Sequence, residues 1–223
     1  MKTIVVGASS GIGKYLVNEL RKRGDDVIGT YNNSNRGDSE LKKLDVRNNS
    51  DIEAFFEDFK NSKLNIIICA GISYNAFAHK SDAIKWADVI STNLIGSYNV
   101  IREALPIMRN LEYGRIILFS SVVAIKPTPG VSAYAASKSG LWGLAKSISV
   151  ENASKGVTIN AINLGYSELG MINEVPAEYL NIVKESIPAK RLCDSEEILA
   201  SIDFLINTSY VNGVSLDVSG GLI

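Results

Sequence analysis

Tyr134 and Lys138 lie four residues apart, a step that puts both side chains on one face if the segment is helical. A phenol with a pKa near ~10 exchanges protons poorly at neutral pH. A neighbouring ammonium would stabilise the phenolate and lower that value. Tyr134 could then pass a proton to or from a carbonyl oxygen. Ser121 stands 13 residues upstream, at the end of an apolar run, and its hydroxyl could hydrogen-bond the same oxygen as charge develops there. A Tyr-x-x-x-Lys pair alone also fits an ordinary helix surface, so its meaning depends on the rest of the chain.

A second constellation stands near the N-terminus. Gly7-Ala8-Ser9-Ser10-Gly11-Ile12-Gly13 follows a short apolar run and opens an amphipathic pattern. A pyrophosphate must approach backbone N–H groups at a helix N-terminus, and a β-carbon would obstruct it. Gly7 permits the tight turn, Gly11 permits close contact, and Gly13 lets the helix lie on the sheet. Ser9, Ser10 and Ile12 complete the turn. The spacing G-x-x-x-G-x-G differs from the commoner G-x-G-x-x-G.

The residues after the second strand bear on which dinucleotide binds. A carboxylate there would bond the ribose 2′-OH of NAD(H). This chain has Thr30-Tyr31-Asn32-Asn33-Ser34-Asn35-Arg36, with no carboxylate before Asp38. The Tyr31, Asn32 and Asn33 side chains, with Arg36 or Lys14, could accept a 2′-phosphate. That favours NADP(H) over NAD(H), against the plainer reading of a polar turn with no preference.

Positioning these groups requires a regular scaffold, and the apolar pattern supplies one. Strands are expected at Lys2–Val6, Asp26–Tyr31, Leu41–Val46, Asn65–Ala70, Arg115–Ser120, Val157–Leu164 and Val214–Val218. Between them lie helical stretches at Gly11–Arg23, Asp51–Lys60, Asp82–Arg109, Ser132–Lys155 and up to Asn207. Ser50 with Glu53, and Asp194 with Glu197, read as capping boxes. Asn65–Ala70 is apolar on nearly every residue, as in a parallel strand covered on both faces. The alternation implies an α/β chain: one doubly wound, Rossmann-type parallel sheet of about seven strands with helices on both faces. It never breaks, so residues 1–223 read as one domain, with a substrate lid at about 166–188.

Composition narrows the function classes. Lys and Arg total 23 against 24 Asp and Glu, a formal net charge of −1. Binding nucleic acid through phosphates would need a basic excess, and so would a polybasic membrane contact. The longest plain apolar run, Ile66 to Ile72, is far short of the ~20 residues of a membrane span. No signal-peptide core follows Met1, so a cytoplasmic location is expected. Cys69 and Cys193 stand far apart and read as free thiols. His79 stands alone, and no metal site is expected.

Gly7–Gly13, Asn93, Ser121, Tyr134 and Lys138 have the order and spacing of the short-chain dehydrogenase/reductase family, and the chain resembles that family over essentially its whole length. Leu44-Asp45-Val46, Cys69-Ala70-Gly71 and Val218-Ser219-Gly220-Gly221 extend the resemblance. It implies that Tyr134 is the acid–base residue and that Lys138 bonds the nicotinamide ribose and lowers the Tyr134 pKa. Ser121 would position the substrate carbonyl, and Asn93 would hold a water in the proton relay. Asp45 and Val46 would contact the adenine, while Cys69, Ala70, Gly71 and Gly165 would border the cofactor. Leu169 stands where the family has a Thr that bonds the nicotinamide amide, leaving Ser167 or backbone to replace it. Ile68 and Cys69 replace two Asn, Leu164 replaces a Pro, and Ser219 replaces an Asp.

Arg115–Val123 and Ile187–Leu192 are most similar to the 3-oxoacyl-[acyl-carrier-protein] reductases. The resemblance thus implies an NAD(P)H-dependent reduction of a ketone, or the reverse, on a 3-oxoacyl thioester. Lys155 could receive an acidic carrier protein, although Glu112 and Glu151 oppose it. Lys126, Thr128, Tyr166, Ser167 and Asn173 would instead suit a polar or sugar-derived ketone. A dinucleotide-sensing protein without turnover is a third reading, disfavoured because both Tyr134 and Lys138 are kept. A homotetramer or dimer is expected through the two long helices, where Ala135, Ala136, Ser139, Gly140 and Gly143 would permit close packing.

Overall fold

A computed structural model describes residues 1–170 and 177–223. Seven strands form one sheet: β1 (Lys2–Val6), β2 (Val27–Tyr31), β3 (Lys42–Lys43), β4 (Leu64–Ile68), β5 (Gly114–Ser121), β6 (Val157–Leu164) and β7 (Ser215–Val218). Their order is β3-β2-β1-β4-β5-β6-β7, and every pairing is parallel. The described helices are α1 (Gly11–Arg23), α2 (Asn49–Glu57), α3 (Ala83–Ile90), α4 (Gly96–Asn110), α5 (Ser132–Asn152), α6 (Ala177–Ser186) and α7 (Ser195–Asn207).

The two-residue period of a strand divides the apolar residues between two layers. Ile4, Val6, Ile66, Ile68, Ile116 and Leu118 face Phe56 of α2, Val100 and Met108 of α4, and Leu141 of α5. Val5, Ile67, Ile117, Phe119 and Ile162 face Leu16 and Leu20 of α1 and Ile198 and Ile202 of α7. Every residue of β4 and β6 is buried, as two covered faces require. Burying each large aliphatic side chain contributes roughly 1.5–3 kcal/mol. This core holds the C-terminal edge of the sheet as a fixed rim.

Most expected elements shift by a few residues at their ends, and three differ in ways with a clear physical cause. The strand expected over Leu41–Val46 pairs only at Lys42–Lys43, because Leu41, Leu44 and Val46 turn inward to pack while the two lysines stay exposed. The second helix is capped by Asn48, not Ser50. The Asn48 side chain accepts from the Ser50 and Asp51 N–H groups, so the helix starts two residues early and Glu53 closes no box. The Asp82–Arg109 stretch is three pieces: α3, a wide π-turn over Ser91–Ile95, and α4. The capping box of Asp194 and Glu197 forms as expected. Arg191 grips Glu197 with two hydrogen bonds and holds its carboxyl down at about 2.

Beyond β6 the described residues make one isolated parallel bridge. Ser167 pairs with Cys193, and α6 follows. The expected lid at 166–188 therefore lies partly outside the described residues. No described helix is long and apolar enough to cross a membrane.

Candidate active site

A cavity of about 660 Å³ opens above the C-terminal ends of β1, β2, β4, β5 and β6. Ligands bind at this edge of open α/β sheets, where the strand order reverses beside the first strand. One wall is the turn between β1 and α1. Gly7 sits at φ +86°, and a β-carbon there would stand 2.6 Å from the Ala70 backbone nitrogen. One on Gly13 would collide with the Gly7 carbonyl, and one on Gly11 (φ +52°) would approach the Gly170 α-carbon at 3.2 Å. The turn is tied to β2 by the Gly7 and Ala8 N–H groups, which donate to Thr30. Ser10 precedes α1 but makes no side-chain cap, so no side chain covers the first amides of the helix. Gly7, Ser9, Ser10, Gly11, Ile12 and Gly13 all line the cavity. A turn at a helix N-terminus with glycine at Gly7, Gly11 and Gly13 fits the pyrophosphate of a dinucleotide.

At one end the lining consists of Tyr31, Asn32, Asn33, Ser34, Arg36 and Val46. Lys14 is exposed and does not line it. Asp45 also falls outside the lining, contrary to expectation. Its carboxylate accepts from the Arg47 backbone at 2.9 Å and lies against the Asn32 amide, so it braces the wall from behind. Cys69, Ala70, Gly71 and Gly165 also line the cavity. Gly165 lies against the Ser219 backbone, where a β-carbon would come within 3.0 Å. Burial pushes the Cys69 thiol up to about 12, against a smaller pull from Lys138.

Ser121, Tyr134 and Lys138 line the same cavity. Their elements explain this: Ser121 ends β5, and Tyr134 and Lys138 share one face of α5. The expected lowering of the Tyr134 pKa is absent. Burial pushes the phenol up to about 12, and only the nearby Ser121 hydroxyl works against it. The Lys138 ammonium donates to the Phe119 carbonyl at 2.6 Å and lies 5.4 Å from the centre of the Tyr134 ring. Its charge is therefore directed at a backbone carbonyl, not at the phenol oxygen. Burial lowers Lys138 to about 8.

Asn93 turns inward from the π-turn and does not line the cavity. Its Oδ1 accepts from the Ile72 N–H at 2.8 Å, and its Nδ2 donates to the Ile72 carbonyl (2.9 Å) and the Ser137 hydroxyl (3.0 Å). Its side chain thus clamps the loop after β4 to α5. This differs from the water-holding role expected for it.

The lining also includes the apolar side chains Ile72, Val122, Val123 and Leu169. Of the polar candidates, Tyr166 and Ser167 reach the cavity, whereas Lys126 and Thr128 do not. Asn173 lies outside the described residues. The Ser167 hydroxyl donates to the Leu169 carbonyl at 3.0 Å, so its proton is already engaged. His79 is exposed in a short turn over Ala78–Lys80. Sequence reasoning missed Phe119, whose contribution is a backbone carbonyl and leaves no side-chain signal. It also missed Ile72, Val122 and Val123, which look like ordinary apolar loop residues.

A family profile described as "Enoyl-(Acyl carrier protein) reductase" matches residues 7–223. The chain is 34% identical to the 3-oxoacyl-[acyl-carrier-protein] reductase FabG of Rickettsia prowazekii, over 99% of this chain and 96% of that one. It is 31% identical to the enzyme of the same name from Haemophilus influenzae, over 98% and 96% of the two chains. A crystal structure from Agrobacterium tumefaciens, provisionally described as a gluconate dehydrogenase, superposes with a TM-score of 0.89 at 26% identity. That superposition covers 99% of this chain and 95% of the other.

Proposed function

The chain belongs to the short-chain dehydrogenase/reductase family of nicotinamide-dependent oxidoreductases, and from that premise we propose that it reduces a 3-oxoacyl thioester with NADPH. The observation that carries the substrate class is the apolar part of the lining, Ile72, Val122, Val123 and Leu169. A hydroxylated substrate needs polar partners there, whereas an acyl chain needs apolar surface. The relatives named as 3-oxoacyl reductases agree with this. The neighbour described as a gluconate dehydrogenase favours a sugar-derived ketone as the second reading.

When bound, the nicotinamide supplies the hydride. Gly7, Ser9, Ser10, Gly11, Ile12 and Gly13 would hold the pyrophosphate. Tyr31, Asn32, Asn33, Arg36 and Val46 would hold the adenosine end, and Cys69, Ala70, Gly71 and Gly165 would border the rest. Ser121 donates to the carbonyl oxygen and fixes its place. Tyr134 gives its phenolic proton to that oxygen as the alcohol forms. Lys138, near pKa 8, carries a proton that can restore the phenol, and the Phe119 carbonyl anchors it. Asn93 sets the spacing between the loop after β4 and α5. The described residues 166–170 and 177–188 would contribute to a substrate lid.

A homotetramer in the cytoplasm, fed thioesters by an acidic carrier protein, completes the proposal. A hollow between α4 and α5, where Tyr98, Leu105, Pro106, Leu144 and Ile148 stand beside Arg102, Arg109, Ser147 and Glu151, supports subunit contact, as does the exposed Val150. The test is NADPH oxidation, followed by absorbance, with 3-oxoacyl thioesters and keto sugars. Turnover of the thioesters alone supports the proposal, and turnover of the keto sugars alone moves it to the second reading.

A further inference from the structure

Arg36 is the only cationic side chain lining the adenosine end of the cavity among the described residues. Two and four residues further on stand Asp38 and Glu40. Left free, two carboxylates so close would oppose the Arg36 charge and repel a phosphate dianion. They would also resemble the acidic group that bonds an unphosphorylated ribose.

The structure removes both from play. Arg21, in the last turn of α1, reaches across to the loop after β2. Its Nη1 donates to Asp38 Oδ2 at 2.8 Å, and its Nη2 lies 3.1 Å from Glu40 Oε2. The Arg21 and Asp38 side chains are only 27% and 29% exposed, so the pair is sheltered from screening more than Glu40, at 71%. The guanidinium holds the Asp38 carboxyl below its usual range, with a smaller contribution from Lys14. The backbone separates the two signs of charge. Arg36 and Gly37 both take positive φ, +48° and +87°, and the Asp38 N–H donates back to the Asn35 carbonyl at 3.0 Å. This tight turn lets Arg36 line the cavity while Asp38 is held on α1.

We propose that Arg21 is a positioning residue for cofactor choice: by holding and neutralising Asp38 and Glu40 it leaves the Arg36 charge available to the 2′-phosphate of NADPH. The inference rests on the NADPH reading above and adds a residue outside the cavity to it. Removing Arg21 leaves two unneutralised carboxylates behind the phosphate site. Together they are worth about tenfold in binding at partly screened distances, or about 1.4 kcal/mol.

The test measures kcat and KM with NADPH and with NADH on the full chain. Arg21→Gln is expected to lower the ratio of NADPH to NADH kcat/KM about tenfold, through the KM for NADPH rather than through kcat. Arg21→Lys should recover part of the ratio. Adding Asp38→Asn and Glu40→Gln to Arg21→Gln should recover most of it, because nothing is left to neutralise. Arg36→Gln tests the underlying reading separately. If Arg36→Gln collapses the ratio and Arg21→Gln leaves it unchanged, the role of Arg21 is overturned and the NADPH reading stands. If Arg21→Gln raises KM equally for both cofactors, Arg21 is only a structural staple and the inference fails. If the unmodified protein shows no preference for NADPH, both fall. Should Arg21→Gln prove unstable, Arg21→Lys and the triple variant still decide the matter.

Discussion

At the end of β1 the cavity wall is backbone, while at the start of α5 it is side chain. The turn from Gly7 to Gly13 works by leaving space out: two of its three glycines would collide with the main chain of Ala70 or Gly7 if they carried a β-carbon. The face of α5 works by adding groups, Tyr134 and Lys138, opposite Ser121 on β5. A backbone wall tolerates almost no substitution, yet its chemistry is generic to any pyrophosphate. A side-chain wall can be altered without collapse, and each alteration removes one step.

The sharpest break between the two walls is Tyr134→Phe. It keeps the ring and removes the proton donor, so kcat is expected to fall about 10³-fold while NADPH binding persists. Stopped-flow or steady-state rates with a fluorescence titration would read both, and unchanged turnover would remove Tyr134 from the reaction. The pH profile sharpens the same point. Restoring the phenol proton needs Lys138 charged, which holds below its pKa of about 8 and fails above it. Reduction should therefore decline as pH rises through about 8, and Lys138→Met should flatten that limb along with the activity.

The opposite break falls on the backbone wall. Gly13→Val pushes a branched side chain into the Gly7 carbonyl, and overpacking of this kind costs roughly 1–3 kcal/mol. The expected result is NADPH affinity reduced about tenfold or more, with cofactor binding lost before fold. Calorimetric titration beside a thermal melt would separate the two. A lowered Tm with affinity intact would show that Gly13 serves helix packing alone.

These two walls also differ in how far the sequence discloses them. Glycines at Gly7, Gly11 and Gly13 mark a close approach because only a missing side chain permits it, and the structure has each in place. The sheet was legible for the same kind of reason, since strands buried on both faces must be apolar throughout. Side-chain partners are another matter. Nothing in the residue Lys138 says that its ammonium will choose the Phe119 carbonyl over the Tyr134 phenol. Nothing in Asp45 says that Arg47 will hold it out of the cavity. Asn48 and Ser50 are both good caps, and residue type alone does not choose between them; in the structure the Asn48 side chain takes the Ser50 and Asp51 N–H groups. Boundaries such as the π-turn around Asn93 depend on hydrogen bonds to residues 21 and 44 positions away.

Asn93 is where the comparison can be refined. Its side chain satisfies both polar groups of Ile72 and the Ser137 hydroxyl. Asn93→Ala would take from the Ile72 N–H and carbonyl their partly buried partner, at a cost of about 1–3 kcal/mol. A clamp predicts that Tm and kcat fall together, because the loop after β4 loosens against α5. A loss of kcat with Tm unchanged would instead support the proton-relay water that the family resemblance implies. Denaturant unfolding and rates on the same preparation decide between them.

The smallest expected effect lies on the outward face of α5. Gly140 and Gly143 both look like contacts for a second subunit. A β-carbon on Gly140 meets the Leu94 side chain of the same chain at 2.7 Å, so that glycine is explained within the subunit. A β-carbon on Gly143 meets nothing within 4 Å, and the residue is exposed in the middle of a helix. In an isolated subunit Gly143→Ala should therefore stabilise the helix by roughly 0.5–1 kcal/mol. In an assembly where another helix crosses at Gly143, the same methyl group would push the two apart and lower Tm. Sedimentation and a thermal melt on both forms separate these cases. A rise in Tm with unchanged mass would place the subunit contact elsewhere, whereas a fall in Tm with a shift toward smaller species would put Gly143 in it.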